Sequence, residues 1–256
     1  MSNKRGRDLN RLMPIQDHGA GTFKFWDSDS EDRFKENLKC QPEDWIYRTK
    51  PVSYKFNSDH YRTAEFDSIP WEESIVMFGT SNVFGIGLNV KDTVAGQLSG
   101  MTGVPVINLG VPGSSAHAVL YNCSLFRKNF PKPKGVIVEC PEASRCTLFM
   151  PVPAVLDRSV FDVVNCGWWT DDPSDLGQAW RRYDMNIKMH LRLTRIAIQQ
   201  MWSDVLYTDY HVFPSNRIVL PDCKYIEFVD TARDDSHPGI QTNYNTAEYL
   251  AKELNL

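Results

Sequence analysis

The sequence has no Cys-x-x-Cys pair. Its six cysteines, at positions 40, 123, 140, 146, 166 and 223, stand apart, several of them inside apolar runs. Structural zinc sites draw ligands from pairs at short spacing, so no metal is expected. Free cysteine packs as a small hydrophobe, and buried thiols are the plain reading. No apolar run reaches the roughly 20 residues that span a bilayer, so no membrane partner is expected. Met1 to Pro14 is basic and polar and lacks the apolar centre of a secretory signal. The expected location is therefore cytoplasmic, or inside a particle loaded without secretion. Positive charge is not in excess: 28 Lys and Arg face 32 Asp and Glu, a net charge of -4. That balance argues against a general nucleic-acid partner. Internal repeats and low-complexity tracts are also missing. What remains is a 256-residue chain, 42% hydrophobic, which is ample for one large core.

Residues 1–70 are polar, short of apolar periodicity and dotted with aromatics such as Trp26, Trp45, Tyr47, Tyr54 and Tyr61. They read as an irregular extension packed on a main unit covering 71–256. From Ser74 the pattern becomes regular. Short apolar runs at 74–78, 104–109 and 135–139 read as buried strands, with further strands at 205–208 and 225–229. Helical spacing follows at 90–101, 115–129, 178–202 and 242–254. The stretch 145–177 reads as irregular. This alternation predicts an α/β fold of three layers, with a five-stranded, mainly parallel sheet between helices.

In such sheets the site lies beyond the carboxyl ends of the strands. Three segments fall there. Gly79-Thr-Ser-Asn-Val-Phe-Gly85 puts a serine on a tight turn at a strand end. Asn108-Leu-Gly-Val-Pro-Gly113 offers the bare N–H of Gly110. Asp234-Asp-Ser-His-Pro-Gly239 puts a carboxylate three residues before a histidine, ahead of a helix.

The ordered set resembles the SGNH/GDSL hydrolase superfamily over about residues 54–254. The first block is a Gly-Asp-Ser-like turn, the second supplies a glycine, and the last is Asp-x-x-His followed by Pro. Tyr54-Lys-Phe-Asn-Ser-Asp-His-Tyr-Arg-Thr63 is similar to a lead-in of some members. The resemblance implies a flavodoxin-like sheet fold and acyl transfer without any cofactor. Ser81 would be the nucleophile, His237 its base, and Asp234 the group that orients the imidazole. The N–H groups of Ser81 and Gly110 would hold the oxyanion, with Asn82 beside them. The implied substrate is an O-acylated carbohydrate or other small ester, and the implied activity is an esterase or deacetylase. An O-acyltransferase with the same machinery, or an inert binding module on the same fold, are the other readings.

Two departures stand out. Thr80 replaces the usual Asp beside the nucleophile. Val138-Glu-Cys-Pro-Glu-Ala-Ser-Arg145 lacks the third-block Asn, a side-chain donor whose loss costs on the order of 10²–10³ in turnover. Ser144 and Arg145 are the candidates to replace it. Trp168, Trp169 and His117 are candidate substrate contacts. Each residue also has a plainer reading. Ser81 is placed to cap a segment, His237 to open a helix, Gly110 to make a turn. His117 suits a helix surface, and the tryptophan pair suits core or lid packing. Asp235 competes with Asp234 as the acid. The basic side of 178–202, with Arg181, Arg182, Lys188, Arg192 and Arg195, reads as a solvated face.

Overall fold

A computed structural model describes residues 7–8, 12–13, 20–151, 160–166 and 184–256. The apolar run β4 (Ile75–Gly79) is buried along its whole length, as a central parallel strand must be. It is flanked by β5 (Val106–Gly110) and β6 (Gly135–Glu139), and the sheet extends through β9 (Leu206–His211) to β10 (Lys224–Tyr225). The order is β10-β9-β6-β4-β5, and every pairing is parallel. Shorter strands lie outside it: β1 (Arg7–Asp8), β2 (Gly21–Phe23), β3 (Tyr54–Phe56), β7 (Cys146–Pro151) and β8 (Val160–Cys166).

Successive strand side chains point to opposite faces, so each face builds its own core. Ile75 and Met77 pack with Val94 and Leu98 of α3 (Val94–Thr102) and Ala247 and Leu250 of α7 (Ile240–Glu253), the helix that follows the short α6 (Asn216–Val219). Val76 and Phe78 pack with Val119 and Phe126 of α4 (Ala116–Asn129) and Ile198 of α5 (Asp184–Met201). The molecule is thus a three-layer α/β/α sandwich around a five-stranded parallel sheet.

Three expectations need correction. The last strand was expected at 225–229, but its ladder ends at Tyr225. Beyond it the chain turns so that Asp230 can cap α7: its carboxylate accepts from Gln241 N at 2.9 Å and Thr242 N at 2.7 Å. Residues 145–177 are not wholly irregular, because β7 and β8 pair antiparallel there. β8 carries Val160, Phe161, Val163 and Val164, β-branched and aromatic residues that favour a strand. Nor are residues 1–70 without order. They hold α1 (Glu31–Cys40), capped by Ser30 and acidic in its first turn, and the antiparallel pair of β2 and β3. Trp26, Tyr54, Phe56 and Tyr61 from this segment enter the same core as Val76 and Phe78.

Candidate active site

β4 ends at Gly79, and the chain turns at once into α2 (Ser81–Phe84). Thr80 caps this turn, and Gly85 closes it in the left-handed region at φ 80°. A Cβ on Gly79 would stand 2.5 Å from Val83 Cγ2 and 2.7 Å from Glu139 Oε2, so only glycine permits the approach. Ser81 is 6% exposed. Among the described residues neither its hydroxyl nor its N–H makes a hydrogen bond. The serine is held by its neighbours and left chemically open.

Glu139 lies beneath the turn, fully buried at the end of β6. Its carboxyl accepts from Thr80 N at 2.7 Å, Asn82 Nδ2 at 2.8 Å and Thr80 Oγ1 at 3.2 Å. Burial pushes the Glu139 carboxyl up, against the hydrogen bonds of Asn82 and Thr80 and the charge of Arg145.

The last block forms a compact hook. Asp234 is fully buried, and its Oδ2 is 2.6 Å from His237 Nδ1. Asp234 Oδ1 accepts from His237 N at 3.2 Å. Burial pushes this carboxyl up, but the His237 hydrogen bond and charge and the Ser28 hydroxyl outweigh it, holding the group below the usual carboxylate range. A carboxylate is acceptor-only, so the proton of this bond lies on Nδ1, and Nε2 is the ring nitrogen turned away from Asp234. Asp235 sits at φ 56° and accepts from Thr231 Oγ1 at 2.8 Å. The histidine's partner is therefore Asp234.

Hook and turn meet through their backbones. Arg233 N donates to Gly87 O at 3.3 Å. A Cβ on Gly87 would lie 2.7 Å from Arg233 N and 3.2 Å from Asp234 N, and its φ is +76°. Gly87 N donates to Tyr54 Oη at 2.7 Å, and Tyr54 donates to Asp29. Asp29 also accepts from Arg233 Nε at 2.8 Å and Nη2 at 2.6 Å. Ser28 Oγ donates to Asp234 Oδ2 at 2.8 Å, Arg33 Nε to Asp234 O at 3.2 Å, and Asn37 Nδ2 to Arg233 O at 2.9 Å. Ser81 and His237 share no hydrogen bond.

The other candidates separate clearly. Gly110 N donates to Asn108 Oδ1 at 3.0 Å, and a Cβ on Gly110 would stand 2.5 Å from Phe84 N. Gly110 therefore lets α2 lie against β5, and its N–H is already spent. Gly113, in the left-handed region at φ 74°, keeps an N–H with no partner among the described residues. Asn82 is committed to Glu139. Ser144 turns its hydroxyl onto Glu142. Arg145 is buried with its guanidinium 4.9 Å from the Phe213 ring centroid. His117 stacks 3.5 Å from His190 across α4 and α5, and burial, then His190, pulls its pKa down to about 4. Trp168, Trp169, Arg181 and Arg182 lie outside the described residues. Among the described residues no cluster of three His, Cys, Asp or Glu would hold a metal ion.

Sequence reasoning missed Ser28, Glu139 and Gly113. Gly113 had a signal, the second glycine of Gly-Val-Pro-Gly. Ser28 and Glu139 had none, because each reaches its partner only through the tertiary fold.

No protein-family model matches the chain, and no curated protein matches it. Solved structures do resemble it. One is a member of the lipolytic protein G-D-S-L family from Veillonella parvula, with 12% identity over 70% of this chain and 96% of that one, and a TM-score of 0.41. Another is an acetyl xylan esterase from the rumen bacterium Butyrivibrio proteoclasticus, with 11% identity over 73% and 64%, and a TM-score of 0.44. A third is AlinE4, an SGNH-hydrolase family esterase, with 16% identity over 73% and 75%, and a TM-score of 0.32. At these levels the likeness carries no functional assignment.

Proposed function

We propose that the chain is a serine-dependent ester hydrolase of the SGNH type, acting on an O-acylated carbohydrate or small ester through an acyl-enzyme. The observation that carries this reading is the pairing of an unbonded serine on a glycine-bounded turn with an Asp234–His237 hydrogen bond of 2.6 Å. A serine hydroxyl is a weak nucleophile without a base. His237 Nε2 takes the Ser81 proton as Oγ attacks the acyl carbon. Asp234 holds the imidazole in the required tautomer and stabilises its charged form. The carbonyl oxygen gains charge and is met by the N–H groups of Ser81 and Gly113. His237 then gives its proton to the departing alcohol, and water releases the acyl group by the same steps.

Ser144 and Arg145 do not replace the missing third-block donor well, since each is engaged elsewhere. That favours a slow hydrolase, or a binding module on the same fold that has lost the chemistry; an O-acyltransferase, in which a sugar hydroxyl replaces water, would share the same acyl-enzyme half. No helix among the described residues is long and apolar enough to cross a membrane, and the proposed substrate is met from the aqueous side. The proposed location is cytoplasmic, or within a particle.

The test is hydrolysis of p-nitrophenyl acetate beside Ser81→Ala and His237→Ala, with fluorophosphonate labelling of Ser81. Turnover and labelling that vanish in both variants, with folding intact, are expected. Equal rates in all three proteins and no label would leave an inert module on this fold. Label without turnover would point to the transferase.

A further inference from the structure

We infer that Glu139 is a positioning residue for Ser81: its buried carboxyl clamps the turn on both sides of the nucleophile and leaves the nucleophile itself unbonded. The inference rests on the serine reading above and deepens it.

The register explains the reach. β6 runs parallel to β4 with Phe78 opposite Val138, which sets Glu139 level with Gly79. Gly79 has no side chain, and the space a Cβ would fill is taken by Glu139 Oε2 and Cβ, at 2.7 and 2.8 Å. Through that gap the carboxyl meets Thr80 N and Oγ1 on one side of Ser81 and Asn82 Nδ2 on the other. Its two oxygens both face donors. Both neighbours of the serine are thereby fixed to a strand of the central sheet. The hydroxyl and N–H of Ser81 are the polar groups of the turn that the clamp leaves alone.

Energetics point the same way. A carboxyl that is 0% exposed costs several kcal/mol to bury, and an apolar side chain would serve the sheet at least as well. The offsetting gain lies in the turn. A reacting group misplaced by about 1 Å loses on the order of 10²-fold in rate, so a rigid mount for Ser81 is worth more to chemistry than to stability. Nor does Glu139 stand in for the missing third-block Asn, because its oxygens accept and the absent side chain donates.

The test compares wild type with Glu139→Gln, and with Asn82→Ala, which breaks the clamp from its other end. In Gln one terminus becomes an NH2: placed at Thr80 it opposes a backbone N–H, and placed at Asn82 it is met only by turning that amide over, so either way the clamp is remade with one acceptor fewer. Two readouts are taken. Amide hydrogen exchange at Thr80 is expected to rise about tenfold or more in E139Q, while Val136 and Ile137 in β6 stay protected. For fluorophosphonate modification of the folded protein, the limiting rate constant is expected to fall roughly 10- to 100-fold, with the half-saturating concentration nearly unchanged. Asn82→Ala should move both readouts the same way by a smaller factor. Unchanged Thr80 protection and an unchanged limiting rate in folded E139Q would overturn the inference. If E139Q does not fold, an Asn82→Ala protein that labels at the wild-type rate overturns it instead. A wild type that takes no label would sink the serine reading, while exchange at Thr80 would still show whether the clamp exists.

Discussion

Asp234 Oδ2 is the atom on which the hook depends, because it accepts from both His237 Nδ1 and Ser28 Oγ. Ser28 itself is exposed. Removing its hydroxyl takes a donor from a buried carboxylate, which should lower stability by about 1.5 kcal/mol and loosen the group. A hydrogen bond to a charged acceptor is worth ~1.5 kcal/mol or more, so Ser28→Ala should slow Ser81-dependent turnover about tenfold. Steady-state rates with urea midpoints check this, and a stability loss with no rate loss would contradict it. Acid sensitivity follows from the same carboxyl. The folded Asp234 sits below its unfolded pKa, so its stabilisation is complete above about pH 4 and is lost as pH falls through the folded value. Asp234→Asn should therefore lose less stability than wild type between neutral pH and about pH 3, read from guanidinium midpoints. Equal losses would mean that the His237 and Ser28 bonds do not hold the carboxylate ionised. The turn that carries Ser81 and the pairing of Asp234 with His237 were legible in the sequence, because a strand-end turn and a three-residue spacing are local. Ser28 was not, since 206 positions separate it from the oxygen it serves.

At the scale of elements, regular apolar periods read well. The strands β4, β5 and β6 and the helices α3, α4 and α7 fall within a few residues of their expected places. The misses have a common cause. β10 is cut short by the capping demand of α7, which the strand pattern does not encode. β7 and β8 pair antiparallel with each other outside the main sheet, in a hairpin that the alternation of strands and helices does not predict. The segment holding α1 looks polar because it packs by aromatic faces and charged side chains. Its firmest tie is Asp29 to Arg233, with side chains 0% and 5% exposed. Taking one partner from a buried pair strands the other, at a cost of about 3–5 kcal/mol. Asp29→Ala should thus be more destabilising than Ser28→Ala, although the two residues are adjacent. Urea unfolding compares them directly. Similar midpoints would show that water reaches the pair and screens it.

The whole molecule joins a polar-looking terminus to a sheet of plain α/β design, and the joint is a shared core. Tyr54 stacks parallel to Phe84 at 6.1 Å, and Trp26 lies 4.5 Å from Phe56. Arg62 is 1% exposed and donates to Phe84 O at 3.1 Å, Gly85 O at 2.6 Å and Ser53 O at 2.9 Å. The carbonyls of Phe84 and Gly85 end the turn that carries Ser81. Without residues 20–70 they would lose a buried partner, each at roughly 1–3 kcal/mol, and one face of Phe84 would be stripped. The extension and the sheet should therefore unfold together. Calorimetry should show one transition with matching calorimetric and van't Hoff enthalpies, near ~0.7 kcal/mol per residue at about 60 °C. Glu139→Gln, which acts within the sheet side alone, should leave that single transition intact. Asp29→Ala should lower its temperature without splitting it. Two resolved peaks in the wild type would mean that residues 20–70 dock on a sheet stable without them, and that Asp234 is buttressed by a detachable segment.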